Sequence, residues 1–479
     1  MNLPSMVGLS PADAERQIDA LIFSRPTHGD HDAKMRRVAE ALAILGDPQT
    51  QLRAVHVTGT NGKTSTSRMI ESLLRSHGLR TGLFTSPHLT TFRERIQIDG
   101  QPLPQESLQR LWERVAPVIN AVDARSLAAG GPHMSFFEVL TVLGMVAYAD
   151  AEVDVAVIEV GIGGSRDATN VVHGEVAVLT PMAEDHSNYF VGGITGVATE
   201  KSGIIKSGAV VVSATQPVVA EDIIRAHAAL RDASLRWEGL HHDLLAREAS
   251  PAGQVVTLRT LSGTHEGVLV PLHGDFQAQN ALVALAATEA ALELRGLELD
   301  DAAVARGFAG STSPGRLEVI AAEPTIVVDA AHNPHGVTAL AGAMGETFGF
   351  ESVVGVVAVL ADKDGDGILA GLEPVVDHVI VTQTSSPRAT PVAELAAAAV
   401  DVWGPERVTV ADSVAEALDL ATSMAIARDG ECGVLVAGSI TLVAEARRLV
   451  QRVHEAEVAH EAPRGLADAG ESSTEAVPA

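Results

Sequence analysis

The chain is poor in cysteine, in positive charge and in long apolar runs, and each shortage excludes a class of protein. One cysteine, Cys432, stands among 479 residues, so no intramolecular disulfide can form and a disulfide-stapled secreted scaffold is excluded. Lys and Arg number 34 against 61 Asp and Glu, a formal net charge of −27. A broad basic face for DNA or RNA would have to be built against that field, so no nucleic-acid partner is expected. No apolar stretch approaches the roughly 18 residues needed to span a bilayer. The first residues lack the basic segment, apolar run and small-residue cleavage site of a secretory signal. These absences predict a soluble cytoplasmic protein, with no membrane engagement, in a reducing compartment.

What is present is an ordinary globular composition, 46% hydrophobic and 20% charged, on a chain long enough for two to four domains at about 150 residues each. Apolar β-branched runs alternate with amphipathic stretches, the signature of an α/β fold with parallel strands and helical crossovers. Strands are predicted at 54–58, 154–160, 175–179, 209–212, 325–329, 352–359, 378–382 and 433–437. Helices are predicted at 63–77, 136–149, 277–295 and 413–427. Short alternating runs with Gly and Pro breaks at 242–273 predict an antiparallel patch at the end of the first sheet. Small residues and Pro at 308–315 mark a boundary between residues 1–309 and a smaller unit at 310–454. The Ala, Glu, Ser, Gly and Pro composition of 455–479 predicts a disordered acidic tail.

The strongest local signal is Val55-His-Val-Thr-Gly-Thr-Asn-Gly-Lys-Thr-Ser65, a β-branched strand running through a Gly-containing loop into a helix. Such a loop turns N–H groups and a helix N-terminus toward phosphate oxygens, while Lys63 neutralises charge and Thr64 or Ser65 reaches Mg²⁺. The common GxxxxGK[ST] spacing is not kept, because Val57 occupies the place of the first glycine. Ser86-Pro-His-Leu-Thr-Thr-Phe-Arg-Glu-Arg-Ile96 suits a metal or an anionic ligand. Glu159 interrupts an apolar strand, which costs several kcal/mol unless the carboxylate is paired or bound to metal. Asp185-His186 and Lys201 follow the strand at 175–179. Arg316, on the boundary segment, and Asp329 with His332-Asn-Pro334 complete the candidates, the last three at the carboxyl edge of a sheet, where ligands gather in open α/β folds.

Taken in order, these motifs resemble the folylpolyglutamate synthase and dihydrofolate synthase family, within the wider Mur ligase group of ATP-dependent amide-forming enzymes. The resemblance runs from about Pro11 to Val453. Its carriers are Thr58-Gly-Thr-Asn-Gly-Lys63, Ser86-Pro-His-Leu89, Arg93-Glu-Arg-Ile96, Ser135-Phe-Phe-Glu138, Asp167-Ala-Thr-Asn170, Asp185-His186, Glu200-Lys201, Pro314-Gly-Arg316, Asp329, His332-Asn-Pro334, Asp362-Lys-Asp364 and Gly438-Ser439. It implies an N-terminal P-loop-type ATPase domain with a mostly parallel sheet and a smaller C-terminal Rossmann-like α/β domain. It further implies ATP binding by Thr60, Asn61, Gly62, Lys63, Thr64, Asn280, Arg316 and Asp329, with Lys63, Lys201, His332 and Asp329 catalytic. Two Mg²⁺ ions would be held by Ser86, Glu159, His186 and Lys201, the lysine carboxylated by CO₂. A carbamate is an anionic oxygen ligand, whereas an ammonium repels metal.

The pterin side would be met by Ser135, Phe136, Phe137, Glu138, Arg166, Asp167 and Ala168. The family's usual Gly-Gly-Arg-x-Asp-Ala-Thr-Asn is here Gly163-Gly-Ser-Arg-Asp-Ala-Thr-Asn170, with the arginine one place later. The implied reaction activates the carboxylate of dihydropteroate or a folate with ATP, as an acyl phosphate, for attack by L-glutamate, in a monomer. These substrates are anions, so a local basic cleft of Lys63, Arg93, Arg95 and Arg316 is expected to overcome the acidic surface. The alternatives are a folylpolyglutamate synthase without the second activity, a Mur-type ligase with another acceptor, a GTPase, and a non-enzymatic nucleotide module. A GTPase is disfavoured because Ala361-Asp-Lys-Asp364 is not a guanine-reading Asn-Lys-x-Asp, and the last leaves Glu159, His186 and Lys201 unexplained.

Overall fold

A computed structural model describes residues 3–25, 31–184, 190–250, 252–428 and 430–461. The segment Ala54–Thr58 is buried along its whole length, as befits a parallel strand covered on both faces. It lies between Val155–Glu159 and Gly174–Leu179, both parallel to it, with Val57 opposite Glu159 and Thr58 opposite Leu179. Three strands therefore end at one level, and the loops leaving their carboxyl ends converge.

The eight-stranded sheet runs in the order Gln101–Pro102, Ile96–Ile98, Thr81–Phe84, Val155–Glu159, Ala54–Thr58, Gly174–Leu179, Val210–Ser213 and Ser234–Trp237. Only its first two strands pair antiparallel. One face is covered by the helices Pro11–Phe23, Gln105–Ala128 and Phe136–Asp150. The other is covered by Lys63–Ser76 and the Ala-rich Asp275–Glu293. Met69, Ile70 and Leu73 are fully buried there, each contributing about 1.5–3 kcal/mol of transfer free energy. That packing fixes the helix whose N-terminus opens on the phosphate-type loop.

A six-stranded sheet follows, in the order Glu318–Ala322, Thr325–Asp329, Cys432–Ala437, Ser352–Val357, His378–Val381 and Val408–Val410, all parallel except the first. The α/β class with two parallel-rich sheets is thus as the alternating pattern predicts. The predicted antiparallel patch exists as Asp243–Ser250, Gly253–Arg259 and Thr264–Val270. It forms a three-stranded sheet of its own instead of extending the first, because its strands pair only with one another. The last helix, Ile440–Glu461, carries helical backbone past residue 455, where the tail was expected to begin; the rest of that tail lies outside the described residues.

The connection between the two sheets holds a specific shape. Gly315 takes φ +71° and Leu317 takes φ +44°, a left-handed conformation that costs a branched residue about 1 kcal/mol or more. It is held by the Leu317 N–H, which donates to Asp329 Oδ2 at 2.7 Å, and by Ala330 N–H to Gly315 O at 2.9 Å. Arg316 is thereby fixed at the carboxyl edge of the second sheet.

Candidate active site

A cavity of about 490 Å³ lies where the carboxyl edges of the two sheets meet, within the range of small-molecule sites. Its floor is the loop from Gly59 to Lys63. Gly59 (φ +153°) and Gly62 (φ +83°) both need glycine: a Cβ on the first would strike Thr180, and one on the second would strike the Asn280 side chain. The first intrahelical bond is Thr66 N–H to Gly62 O at 2.9 Å, so the preceding N–H groups are the orphan donors of a helix start, at its positive end. Thr60 and Asn61 do not add their N–H groups to that set, since both donate to Pro181 O, at 3.0 and 3.4 Å. Thr60 Oγ1 is committed too, donating to Ala183 O at 2.9 Å and accepting from Ala183 N–H at 3.0 Å.

Two lysines converge on one carbonyl. Lys63 Nζ donates to Gly59 O at 3.0 Å and to Thr60 O at 2.9 Å, and the buried Lys201 donates to the same Gly59 O at 2.7 Å. Beside them Glu159 is buried, with Oε1 accepting from Thr64 Oγ1 at 2.7 Å and Oε2 from Ser86 N–H at 2.9 Å. Burial raises the Glu159 pKa, opposed by Lys63, by those two hydrogen bonds and by Arg316. Of the two hydroxyls after Lys63, it is therefore Thr64 that faces the carboxylate. Ser65 points the other way, to Ser313 Oγ at 2.8 Å and Gln277 at 3.3 Å. Thr64, Ser86 and Glu159 form a set of hard oxygen donors that fits Mg²⁺. Unmodified Lys201 does not fit a metal, because its ammonium is a donor. Among the described residues no group of three or more His, Cys, Asp and Glu could hold an ion by itself.

The far wall comes from the second sheet. Arg316, Asp329 and His332 line the cavity together with His335. Asp329 is buried, which raises its pKa against the influence of Arg316, and its two oxygens accept from the Leu317 and Ala331 N–H groups, at 2.7 Å each. Its carboxylate thus shapes the Arg316 loop. His332 Nδ1 lies 2.8 Å from Ala330 O, which places a ring proton on Nδ1. The two halves touch directly: Asn61 Nδ2 lies 2.8 Å from His335 Nδ1, and Asn333 Nδ2 donates to Asn61 Oδ1 at 3.4 Å. Asn333 stands in the His332-Asn-Pro334 candidate, and Ser313 and Gln277 adjoin the Pro314–Arg316 motif and the helix of Asn280, but none of the three is given a site role by the sequence; His335 is signalled only by its closeness to His332.

The predicted candidates divide. Thr60, Asn61, Gly62, Lys63, Thr64, Ser86, Glu159, Lys201, Asn280, Arg316, Asp329 and His332 all line the cavity. His186 lies outside the described residues. Arg93 and Arg95 do not supply the expected basic cleft. Arg93 pairs with Glu15 at 2.8 Å, and Arg95 donates to His88 Nδ1 at 2.8 Å while its guanidinium lies 4.9 Å from the Phe136 ring centre. Burial lowers the Arg95 pKa to about 10 and, with Arg95 beside it, the His88 pKa to about 4.

The expected pterin contacts lie outside the cavity as well. Ser135 and Glu138 form a capping box on the helix Phe136–Asp150, and Glu138 is also salt-bridged to the buried Arg37 at 2.8 Å. Phe136 packs on Phe23 with ring centres 4.6 Å apart, and Phe137 meets Phe84 at 5.7 Å. Asp167 caps the turn Ala168–Val171, and burial raises its pKa against hydrogen bonds from Thr169 and Ile162. Arg166 pairs with Glu200 at 3.0 Å.

The geometry can be set beside known proteins. Residues 57–288 match the Mur ligase middle domain and residues 315–440 the Mur ligase, glutamate ligase domain. The dihydrofolate synthase/folylpolyglutamate synthase of Mycobacterium tuberculosis is 42% identical over 456 residues, covering 91% of this chain and 94% of that protein. The protein of the same name from Escherichia coli is 32% identical over 424 residues, 88% of this chain and 92% of its own. A crystal structure of Mycobacterium tuberculosis folylpolyglutamate synthase with ADP and AMPPCP superposes with a TM-score of 0.86 at 42% identity, over 92% of this chain and 99% of that one.

Proposed function

The chain belongs to the dihydrofolate synthase/folylpolyglutamate synthase family of the Mur ligases, and from that premise we infer what its cavity does. It is an ATP-dependent ligase that joins L-glutamate to folates, and we extend the acceptors to dihydropteroate. The observation that carries this reading is the meeting of a phosphate-type loop and Glu159 on one sheet edge with Arg316 and His332 on the other, around one cavity. We assign residues 1–309 to the ATP-binding unit and 310–454 to the glutamate-ligase unit.

Amide formation from a carboxylate is uphill in water, and the carboxylate is a poor electrophile. In the proposed sequence an acceptor carboxylate oxygen attacks the γ-phosphorus of ATP, and the bond to the bridging oxygen breaks to release ADP. The amine of L-glutamate then attacks the acyl carbon, loses a proton, and phosphate leaves. Lys63, Arg316 and the N–H groups of the helix start neutralise the crowded phosphates, and alignment supplies much of the rest. We assign to His332, which lines the cavity, the role of taking the amine proton. Asp329 contributes by fixing Arg316.

Thr64, Ser86 and Glu159 would hold one Mg²⁺, which supplies charge neutralisation at the phosphates when bound. His186 and Lys201 would hold a second. The amine of Lys201, once deprotonated, would add to CO₂ and lose a proton to give a carbamate. That change supports the reading physically: it turns two like charges at the Gly59 carbonyl into an opposite pair. The rings of Phe136 and Phe137, with Ala168, are assigned to the pterin side, along with Ser135, Glu138, Arg166 and Asp167. The protein acts as a cytoplasmic monomer without nucleic-acid or membrane partners; no helix among the described residues is long and apolar enough to cross a membrane.

The test is mass spectrometry of products after incubation with ATP, Mg²⁺, L-glutamate and either dihydropteroate or tetrahydrofolate. Both acceptors should gain one glutamyl residue, and Lys63→Ala should abolish both gains in a folded protein. Product from one acceptor alone refutes bifunctionality, and product from neither refutes the ligase reading. The intact mass of the native protein with and without bicarbonate tests the carbamate, and its elution volume tests the monomer.

A further inference from the structure

Arg68 is a cation near the active site that the mechanism leaves unused. It sits on the helix Lys63–Ser76, one turn beyond Thr64 and on the same face. Its Nε is buried without a hydrogen-bond partner, and among the described residues its guanidinium makes no ion pair. Arg68 as a whole is only half-buried, but a buried donor such as its Nε is costly unless it is met.

Three carboxylates act on the charge of Arg68: Glu159, Glu94 and Glu71. Each is already engaged by other donors. Glu159 accepts from Thr64 and Ser86. Glu94 accepts the N–H groups of Leu89, Thr90 and Thr91 at 3.0, 3.0 and 2.9 Å. Glu71 accepts from Arg75 at 2.9 Å and Thr81 at 2.6 Å. The neighbouring cation that also acts on Arg68 is Arg316, and the hydrogen bond it makes within the chain goes to its own loop, at Gly315 O, 3.1 Å away. Two guanidinium groups with donors unspent therefore act near Glu159: Arg316 in the cavity wall, and Arg68 outside that lining, one helical turn beyond the cavity-lining Thr64. A planar fork matches a carboxylate with two parallel hydrogen bonds.

We propose that Arg68, beside Arg316, binds a carboxylate of a glutamyl group. The proposal rests on the ligase reading above. Two substrates can supply the group: the incoming L-glutamate, and the terminal glutamyl residue of a folate acceptor. Dihydropteroate has no glutamyl residue, so the two sources separate by chemistry. If Arg68 holds the incoming amino acid, both acceptors feel its loss. If it holds the acceptor's glutamyl tail, only folates do, and Arg68 becomes a residue that distinguishes the second activity from the first.

The experiment compares the full chain with Arg68→Gln and Arg68→Lys, in ATP and Mg²⁺, varying L-glutamate against tetrahydrofolate and against dihydropteroate. Arg68→Gln is expected to raise one KM about tenfold or more while the KM for ATP stays within about twofold. A rise for L-glutamate with either acceptor assigns the incoming substrate; a rise for tetrahydrofolate, with dihydropteroate unchanged, assigns the acceptor tail. Arg68→Lys should recover part of the loss, since the charge returns without the fork. Should Arg68→Gln unfold, Arg68→Lys against the native chain gives the same comparison with a smaller expected rise of a few-fold. The proposal is overturned if no carboxylate substrate changes its KM, or if the KM for ATP rises as much as the others, the mark of a residue that merely balances Glu159 and Glu94. Failure of the native chain to form product with either acceptor is a different result, and it removes the ligase reading itself.

Discussion

Replacing Glu138 by Ala separates two roles for a residue that the family resemblance places at the pterin. In the structure its carboxylate accepts from the Ser135 N–H at 2.9 Å and the Ser135 hydroxyl at 2.6 Å, and it meets Arg37 through Nε at 2.8 Å and Nη2 at 3.1 Å. The side chains of Arg37 and Glu138 are only 7% and 1% exposed, so water cannot replace the lost partner. Removing one member of a buried pair costs about 3–5 kcal/mol, because the other charge is left stranded, and the lost capping box adds about 1 kcal/mol. With a urea m-value of about 3 kcal/mol/M, the midpoint should fall by more than about 1 M. Glu138→Gln, which keeps an acceptor but not the charge, should fall by less. The assay is urea unfolding followed by intrinsic fluorescence and circular dichroism, with acceptor KM measured in the native baseline. An unchanged midpoint with a large rise in acceptor KM would refute the structural reading and make Glu138 a substrate ligand.

Three further outcomes follow from the same geometry. Gly62→Ala must accept a positive φ and push aside Asn280, so it should weaken binding of a non-hydrolysable ATP analogue more than tenfold by calorimetry while the fold persists; unaltered affinity would show that the loop has another shape. The Glu159 pKa is raised by burial, so the native state holds that proton more tightly than the unfolded chain does, and the residue's contribution to stability falls as pH rises above the ordinary Glu value. In EDTA, Glu159→Gln should therefore be more stable than the native chain at pH 8, with a smaller advantage at pH 5; no pH dependence of the difference would refute this. His56, wholly buried with Nε2 3.0 Å from Thr169 Oγ1, has its pKa lowered to about 3, chiefly by burial. The unfolded chain then takes up the proton first, and stability on the order of 4 kcal/mol should be lost as pH falls from about 6.5 toward 3. His56→Asn should flatten that part of the acid-denaturation curve.

The sequence by itself settled whatever depends on neighbours along the chain. Alternating apolar runs made the α/β class and most strands legible, since burial on both faces of a parallel strand leaves a continuous β-branched run such as Ala54–Thr58. The Gly59–Lys63 loop was legible because positive φ and close approach leave only glycine. Loops at the carboxyl edge of parallel strands gather ligands, which pointed to Asp329 and His332, whereas the roles of residues such as Ser86, Lys201 and Asn280 were named only through the family resemblance of their motifs. Tertiary structure decided which donors those residues have left to offer. It gave Thr64 to Glu159 and Ser65 to Ser313, closed Asn61 onto His335, withdrew Arg93 and Arg95 into other pairs, and left Arg68 with its donors unspent. None of these is a property of local spacing. A side chain's chemistry is fixed by its type, but its availability depends on partners that fold in from as far as Thr64 is from Glu159 or Asn61 from His335.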